Sequence, residues 1–265
     1  MPMHTPMLFT LFLAFSIIIN AQSHQVFSTE EEILLSTEGL ATSYQNETGG
    51  SFKPERVHLV AYNEQTGNYL FRGNMPLNSE TFAYDELLGI MNVRSQEELG
   101  ALLPESVKII DVSLVNSIEK SEKRHLEKER SFFAQNPELG EVINRPIYGI
   151  PISVKHTHRK WRKHFSKKWG KDKLESLINN LSTWLNKNQD IPVIIYVHCE
   201  AGFDRTGEVI AAYQLRFQGK SYHEAYQNAV EVAGRNISSF SKHGLQWYAY
   251  YLREVTRLPT IGDIQ

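Results

Sequence analysis

The run Ile191-Pro-Val-Ile-Ile-Tyr-Val197 constrains this chain more than any other segment. Almost uninterrupted apolar, largely β-branched side chains without polar alternation describe a central strand covered on both faces. Its continuation, His198-Cys-Glu-Ala-Gly-Phe-Asp-Arg-Thr-Gly207, leads into Glu208-Val-Ile-Ala-Ala-Tyr-Gln-Leu215, a helical segment. Strand, short glycine-bearing loop and helix therefore follow one another without a linker.

The rest of the chain repeats that alternation. Arg56–Tyr62 and Asn68–Gly73 flank Asn-Glu-Gln-Thr-Gly and read as two strands joined by a turn. YDELLGIM follows, and Ser95-Gln-Glu-Glu98 has the form of a capping box that opens a helix running to Leu103. Val107–Leu114 is a buried-type strand, and Pro146–Val154 is the next strand candidate. Glu119–Phe133 reads as a charge-laced helix of mixed signs, a pattern that marks a solvated face. Leu174, Leu177, Ile178, Leu181, Trp184 and Leu185 form one helical stripe. Two further helices are expected, one opened by Ser221-Tyr-His-Glu224 and closed near Gly234, the other over Ser239–Arg257. The fold class is α/β, a mainly parallel central sheet flanked by helices on both faces.

At 265 residues with 41% hydrophobic side chains, the chain can build one sizeable core. The expected organisation is a catalytic domain over 56–265, preceded by an N-terminal extension, 22–55, with a short helix over Glu30–Leu40. Met7–Ile19 has thirteen residues without a charge, too few for a spanning helix of about 20. It reads as the core of a signal peptide cleaved after Ala21, or after Ser23, so the expectation is an exported protein, periplasmic or secreted. Asn46, Asn180 and Asn236 begin glycosylation tripeptides, which matter only on a eukaryotic secretory route.

The single cysteine, Cys199, excludes an intramolecular disulfide and a multi-cysteine zinc site. It sits where the strand ends and the loop begins. Successive N–H groups of such a loop and the following helix N-terminus form an anion cradle. Gly202 lets the backbone curl, and Arg205 supplies a planar fork matched to two phosphate oxygens. A field that stabilises phosphate also stabilises a thiolate, so Cys199 is expected to act as a nucleophile toward phosphorus. Thr206 can hydrogen-bond the sulfur, and His198 is expected to orient the loop rather than bind a metal. No metal and no cofactor are expected. The substrate-binding set is Glu200, Ala201, Gly202, Phe203, Asp204 and Arg205, with Lys155, His156 and His158 as further candidates.

His198-Cys199 through Arg205-Thr206 resembles the H-C-x5-R-[ST] loop of the cysteine-dependent protein tyrosine and dual-specificity phosphatases. Phe71–Pro76, FRGNMP, resembles the opening strand of dual-specificity-type enzymes. IIDVSL resembles a strand of bacterial phytase-like members, which also carry HCEAG, although Val112 and Ser113 stand here where those have leucine and arginine. The resemblance implies a dual-specificity phosphatase-like fold and phosphomonoester hydrolysis through a phosphocysteine. Implied substrates are phosphotyrosine, phosphoserine or phosphothreonine proteins, or phosphoinositides. The alternatives are a phosphate-binding protein without turnover and a phytase-like inositol polyphosphate phosphatase.

The family commonly takes the leaving-group proton from an aspartate upstream of the loop. Ile150–His158 holds no carboxylate. Asp204 is the favoured general acid, by resemblance to members whose loop ends D-R-T-G, with His156 or His158 as the alternative because histidine titrates near neutrality.

A formal charge of −2 gives no global pull toward nucleic acid, and none is expected as partner. That average conceals Lys155–Lys173, where nine Lys or Arg against one Asp give +8 and leave −10 on the remainder. With Trp161 and Trp169, this strip is expected to favour a multiply phosphorylated substrate or peripheral contact with a membrane surface.

Overall fold

The structure is a computed structural model that describes residues 51–79, 81–167 and 173–264. The chain divides into two units, 1–48 and 49–265, and the first lies outside the described residues. So do the signal-like segment, the Glu30–Leu40 helix, Asn46 and Trp169.

Five strands form one sheet in the order β1-β2-β5-β3-β4. They are β1 His58–Asn63, β2 Asn68–Asn74, β3 Lys108–Ser113, β4 Gly140–Asn144 and β5 Val193–Cys199. β1 pairs antiparallel with β2 through the expected turn, and every other pairing is parallel. β5 is central, flanked by β2 and β3, and all seven of its residues are buried.

Because side chains alternate across a strand, β5 feeds two cores. Val193, Ile195, Val197 and Cys199 join one layer with helices α4 (Leu174–Leu185), α5 (Asp204–Phe217), α6 (Tyr222–Ala233) and α7 (Ser239–Glu254). Ile194 and Tyr196 join the other, with α1 (Tyr84–Leu99) and α2 (Lys120–Gln135). The remaining α3 covers Arg159–Phe165. This is the expected α/β arrangement. The stripe on α4 packs as its spacing requires, with Leu174, Leu177, Ile178, Leu181 and Leu185 buried. α6 begins with the expected capping box at Ser221 and Glu224 and ends at Gly234. Among the described residues, no helix is long and apolar enough to cross a membrane.

Two expectations are corrected. Ser95 does not open a helix; it lies inside the continuous α1, which ends at left-handed Gly100. Neither Gly nor Pro interrupts Met91–Ser95, and the buried Ser95 hydroxyl donates to Ala101 O at 2.7 Å instead of capping. Nor is Pro146–Val154 a strand. The strand beside β3 is the preceding Gly140–Asn144, and the proline-containing stretch leaves the sheet edge to lie along α7. Pro146 and Pro151 have no N–H to give a ladder. Gly149, at φ +66°, comes so close to Phe240 that an added Cβ would lie 2.7 Å from its carbonyl carbon.

Leu181 is fully buried between α4 and the sheet. Leu181→Ala is expected to destabilise the protein by about 3 kcal/mol through lost transfer energy and a residual cavity. Urea unfolding measures this, and a loss below about 1 kcal/mol would mean that the α4 stripe is not an integral part of the core.

Candidate active site

The loop's shape follows from where its carbonyls go. Glu200 O accepts from Met75 N at 3.2 Å, Ala201 O from Arg56 Nη1 at 3.0 Å and Gly202 O from Arg72 Nη2 at 2.8 Å. Three successive carbonyls are thus tied to groups outside the loop. A trans peptide sets N–H opposite C=O, so the amides of Ala201, Gly202 and Phe203 face the other way, into the concave side. Gly202 is required twice over: its φ is +79°, and an added Cβ would lie 2.5 Å from Gly73 O. α5 begins at Asp204, and its N-terminal dipole adds positive potential to the same cradle.

Cys199 ends β5 as a buried, free thiol at the base of that cradle. Arg205, in the first turn of α5, has its guanidinium fixed from behind by Glu122 of α2. Nη2 lies 2.5 Å from Oε1 and Nη1 lies 3.1 Å from Oε2, with only 9% and 8% of the two side chains exposed. Glu122 also accepts from Asn116 N at 2.5 Å, and Arg205 Nη1 approaches Leu114 O at 3.4 Å. A buried, bidentate pair holds the fork's orientation more tightly than an exposed ion pair could.

His198 projects to the opposite face of the sheet from Cys199. Its Nε2 is 2.9 Å from Asp111 Oδ1 on β3 and 3.6 Å from Glu129 Oε1 on α2, and all three side chains are fully buried. Burial by itself pushes the imidazole pKa down, but Asp111 and Glu129 outweigh it and hold the net shift upward. Burial likewise pushes the Glu129 carboxyl up. These three side chains are also the one set among the described residues whose ligand atoms converge, within 4.8 Å of one another. The 2.9 Å Asp111–His198 contact is direct, however. Two ligands each about 2.0–2.2 Å from a shared tetrahedral ion would stand farther apart, so the set is an ion-pair cluster as it stands.

Asp204 has both carboxylate oxygens engaged. Arg235 donates to each at 3.0 Å, and Ser238 N donates to Oδ1 at 2.6 Å. Two residues on, Phe240 O accepts from Ile150 N at 3.0 Å. That chain of contacts brings Ile150 to the same side of the molecule as the loop's arginine end. His156 is exposed, its Nδ1 3.2 Å from Ser153 Oγ. Lys155 is exposed, and His158 caps α3, its Nδ1 accepting from Lys160 N at 3.4 Å. Thr206 is fully buried, and its hydroxyl has no hydrogen-bond partner among the described residues. Phe203 is half-buried beneath two guanidinium groups, Arg56 at 4.3 Å and Arg235 at 5.7 Å from its ring centre.

The expectation that the α2 segment is a solvated face is corrected in part. Glu122, Leu126, Glu129 and Phe133 form a buried stripe, and two of its members are carboxylates turned toward Arg205 and His198. The available signal was phase: both glutamates share the helical face of Leu126 and Phe133. Arg56, Arg72 and Arg235 carry no such signal, because each reaches the loop from a distant part of the chain.

No family model matches this chain, and no curated protein matches it. Among solved structures it is similar to a kinase-associated phosphatase with its catalytic cysteine replaced by serine, at 14% identity and a TM-score of 0.40, covering 76% of this chain and 96% of that one. It is also similar to TpbA from P. aeruginosa in complex with phosphotyrosine, at 18% identity and 0.37, covering 76% and 93%. A third is the core catalytic domain of a PP-IP phosphatase from S. cerevisiae, at 16% identity and 0.37, covering 78% and 92%.

Removing Glu122 takes the bidentate partner from a buried guanidinium. Glu122→Ala is expected to cost about 3–5 kcal/mol in urea unfolding, and Glu122→Gln, which keeps an acceptor, markedly less. Equal, small losses in both would mean that solvent screens this pair.

Proposed function

We propose that the chain is a phosphomonoester hydrolase that works through a phosphocysteine and acts on phosphotyrosine in proteins. The observation that carries this reading is the placement of Cys199 beneath amides turned inward, beside an Arg205 fork fixed by Glu122. The Cys199 thiolate attacks phosphorus as the P–O bond to the leaving group breaks. Arg205 and the loop amides carry the charge on the three equatorial oxygens. Water then attacks the phosphocysteine, the P–S bond breaks, and the sulfur leaves as thiolate with the Thr206 hydroxyl available to hydrogen-bond it.

The proton for the leaving oxygen is assigned to His156. Asp204 accepts from three donors and is arranged as a latch between the phosphate loop and the α6–α7 connection, whereas His156 offers a ring nitrogen on the exposed adjoining segment. Arg56 and Arg235 over Phe203, together with exposed Lys155, Arg159, Lys160 and Lys163, support a substrate that carries negative charge beyond the scissile phosphate. Phosphoserine, phosphothreonine, phosphoinositide and inositol polyphosphate esters are the other arms of a substrate panel. The charge-free Met7–Ile19 segment supports export, and amino-terminal sequencing of the mature protein is expected to begin after Ala21.

Hydrolysis of an aryl phosphate, sensitive to vanadate and abolished in Cys199→Ser, is the expected result; binding of phosphate without turnover in the wild type would replace this reading with a non-catalytic one. Leaving-group dependence identifies the acid. His156→Ala is expected to slow an alkyl phosphate by roughly 10²-fold or more while sparing an aryl phosphate whose leaving group needs no proton. Asp204→Asn is expected to lower both alike. The opposite pattern would return the acid role to Asp204.

A further inference from the structure

The buried cluster behind the loop goes beyond this mechanism, though it rests on the same reading of Cys199. We propose that Glu129 is a positioning residue: with Asp111 it clamps the ring of His198 from two elements, and through that ring sets the field at the adjoining Cys199.

Three observations support it. The first is geometry. Asp111 approaches His198 from β3 and Glu129 from α2, at 2.9 and 3.6 Å from the same Nε2, while Tyr196 stacks on the ring with centroids 5.6 Å apart. The ring is therefore bounded on its nitrogen edge and on a face.

The second is charge balance in a site that excludes water. One imidazolium cannot neutralise two buried carboxylates, and an uncompensated buried charge is prohibitively costly. Neutrality requires two protons in the cluster, one making His198 cationic and one retained by Glu129. The directions agree, since both groups are shifted upward, Glu129 chiefly by burial and His198 by its carboxylate neighbours against burial. The groups acting on them are Cys199 from β5, Asp111 and Ser113 from β3, and Arg130 from α2, while Tyr196, itself acted on by Asp111, Glu129 and Arg72, lies against the ring. Folded values above the unfolded ones mean that the cluster's contribution is complete below the ordinary histidine and carboxyl values. It is lost as pH rises through the raised ones, so the clamp loosens on the alkaline side.

The third is connectivity. Glu122 and Glu129 lie seven residues apart on one face of α2, and Glu122 holds Arg205. One helix thus positions both the phosphate-binding cation and the imidazolium next to the nucleophile.

The test is the His198 ring titration followed by NMR in protein with ¹⁵N-labelled histidine, alongside the rate of Cys199 alkylation by iodoacetamide at pH 6. Neither readout requires turnover. Glu129 gives up its proton before His198 does, so its carboxylate holds the imidazolium when the ring titrates. In Glu129→Gln the His198 midpoint is therefore expected to fall by about one pH unit, a tenfold loss of proton affinity. In Glu129→Leu alkylation is expected to slow severalfold, while exposed Glu127→Gln changes neither. Should Glu129→Gln fail to fold, Glu129→Asp, which withdraws the carboxylate by one methylene, is expected to lower the same midpoint. A wild-type midpoint in whichever of these folds overturns the proposal. A shifted midpoint in a protein with no phosphatase activity would overturn the hydrolase reading and leave the clamp standing.

Discussion

Charge is buried at the C-terminal end of β5, and the remaining architecture has to satisfy it. Arg72, Asp111, Glu122, Glu129, His198 and Arg205 all lose nearly all contact with water there. None of these groups is tolerable alone in a low-dielectric interior. Glu122 answers Arg205, Asp111 and Glu129 answer His198, and Arg72 is held between Gly202 O and the field of Cys199. The position of α2 is fixed by this requirement as much as by the apolar contacts of Leu126 and Phe133.

The same economy shapes the loop. Its curvature does not come from glycine alone; Arg56, Arg72 and Met75 N draw three consecutive carbonyls outward and leave the amides facing a common point. The donors come from the segment before β1, from β2 and from the residue after β2. An anion cradle of this type therefore depends on parts of the chain more than 100 residues upstream. A change in the hairpin would reach Cys199 without touching it, through the orientation of peptide planes.

Elements whose pattern is set by local burial were legible in advance. The β-branched run of β5, the α4 stripe, the capping box of α6 and the hairpin all form as their spacing requires. The two segments whose local pattern and fold disagree share a cause. Ser95 has the composition of a cap, and Pro146–Val154 the hydrophobicity of a strand, but each signal is local, and the outcome was decided by what lay opposite. Ser95 faces a core and finds Ala101 O; the proline-containing stretch faces α7 and has no N–H at two of the positions a ladder would need. α2 has a solvated pattern for a related reason, since a glutamate bound for an arginine and one bound for water look alike in a one-dimensional pattern.

The sequence by itself determined the central strand, the loop with its single cysteine and arginine, and the helix that closes it, because these are contiguous and their chemistry follows from residue type and order. The tertiary structure decided which other charges attend them. Glu122 and Glu129 become partners of Arg205 and His198, and Asp204 becomes a partner of Arg235, only because the sheet order β2-β5-β3 and the docking of α2 bring together residues distant in the chain. Electrostatic pairing depends on distance and burial, and neither is written in the order of residues.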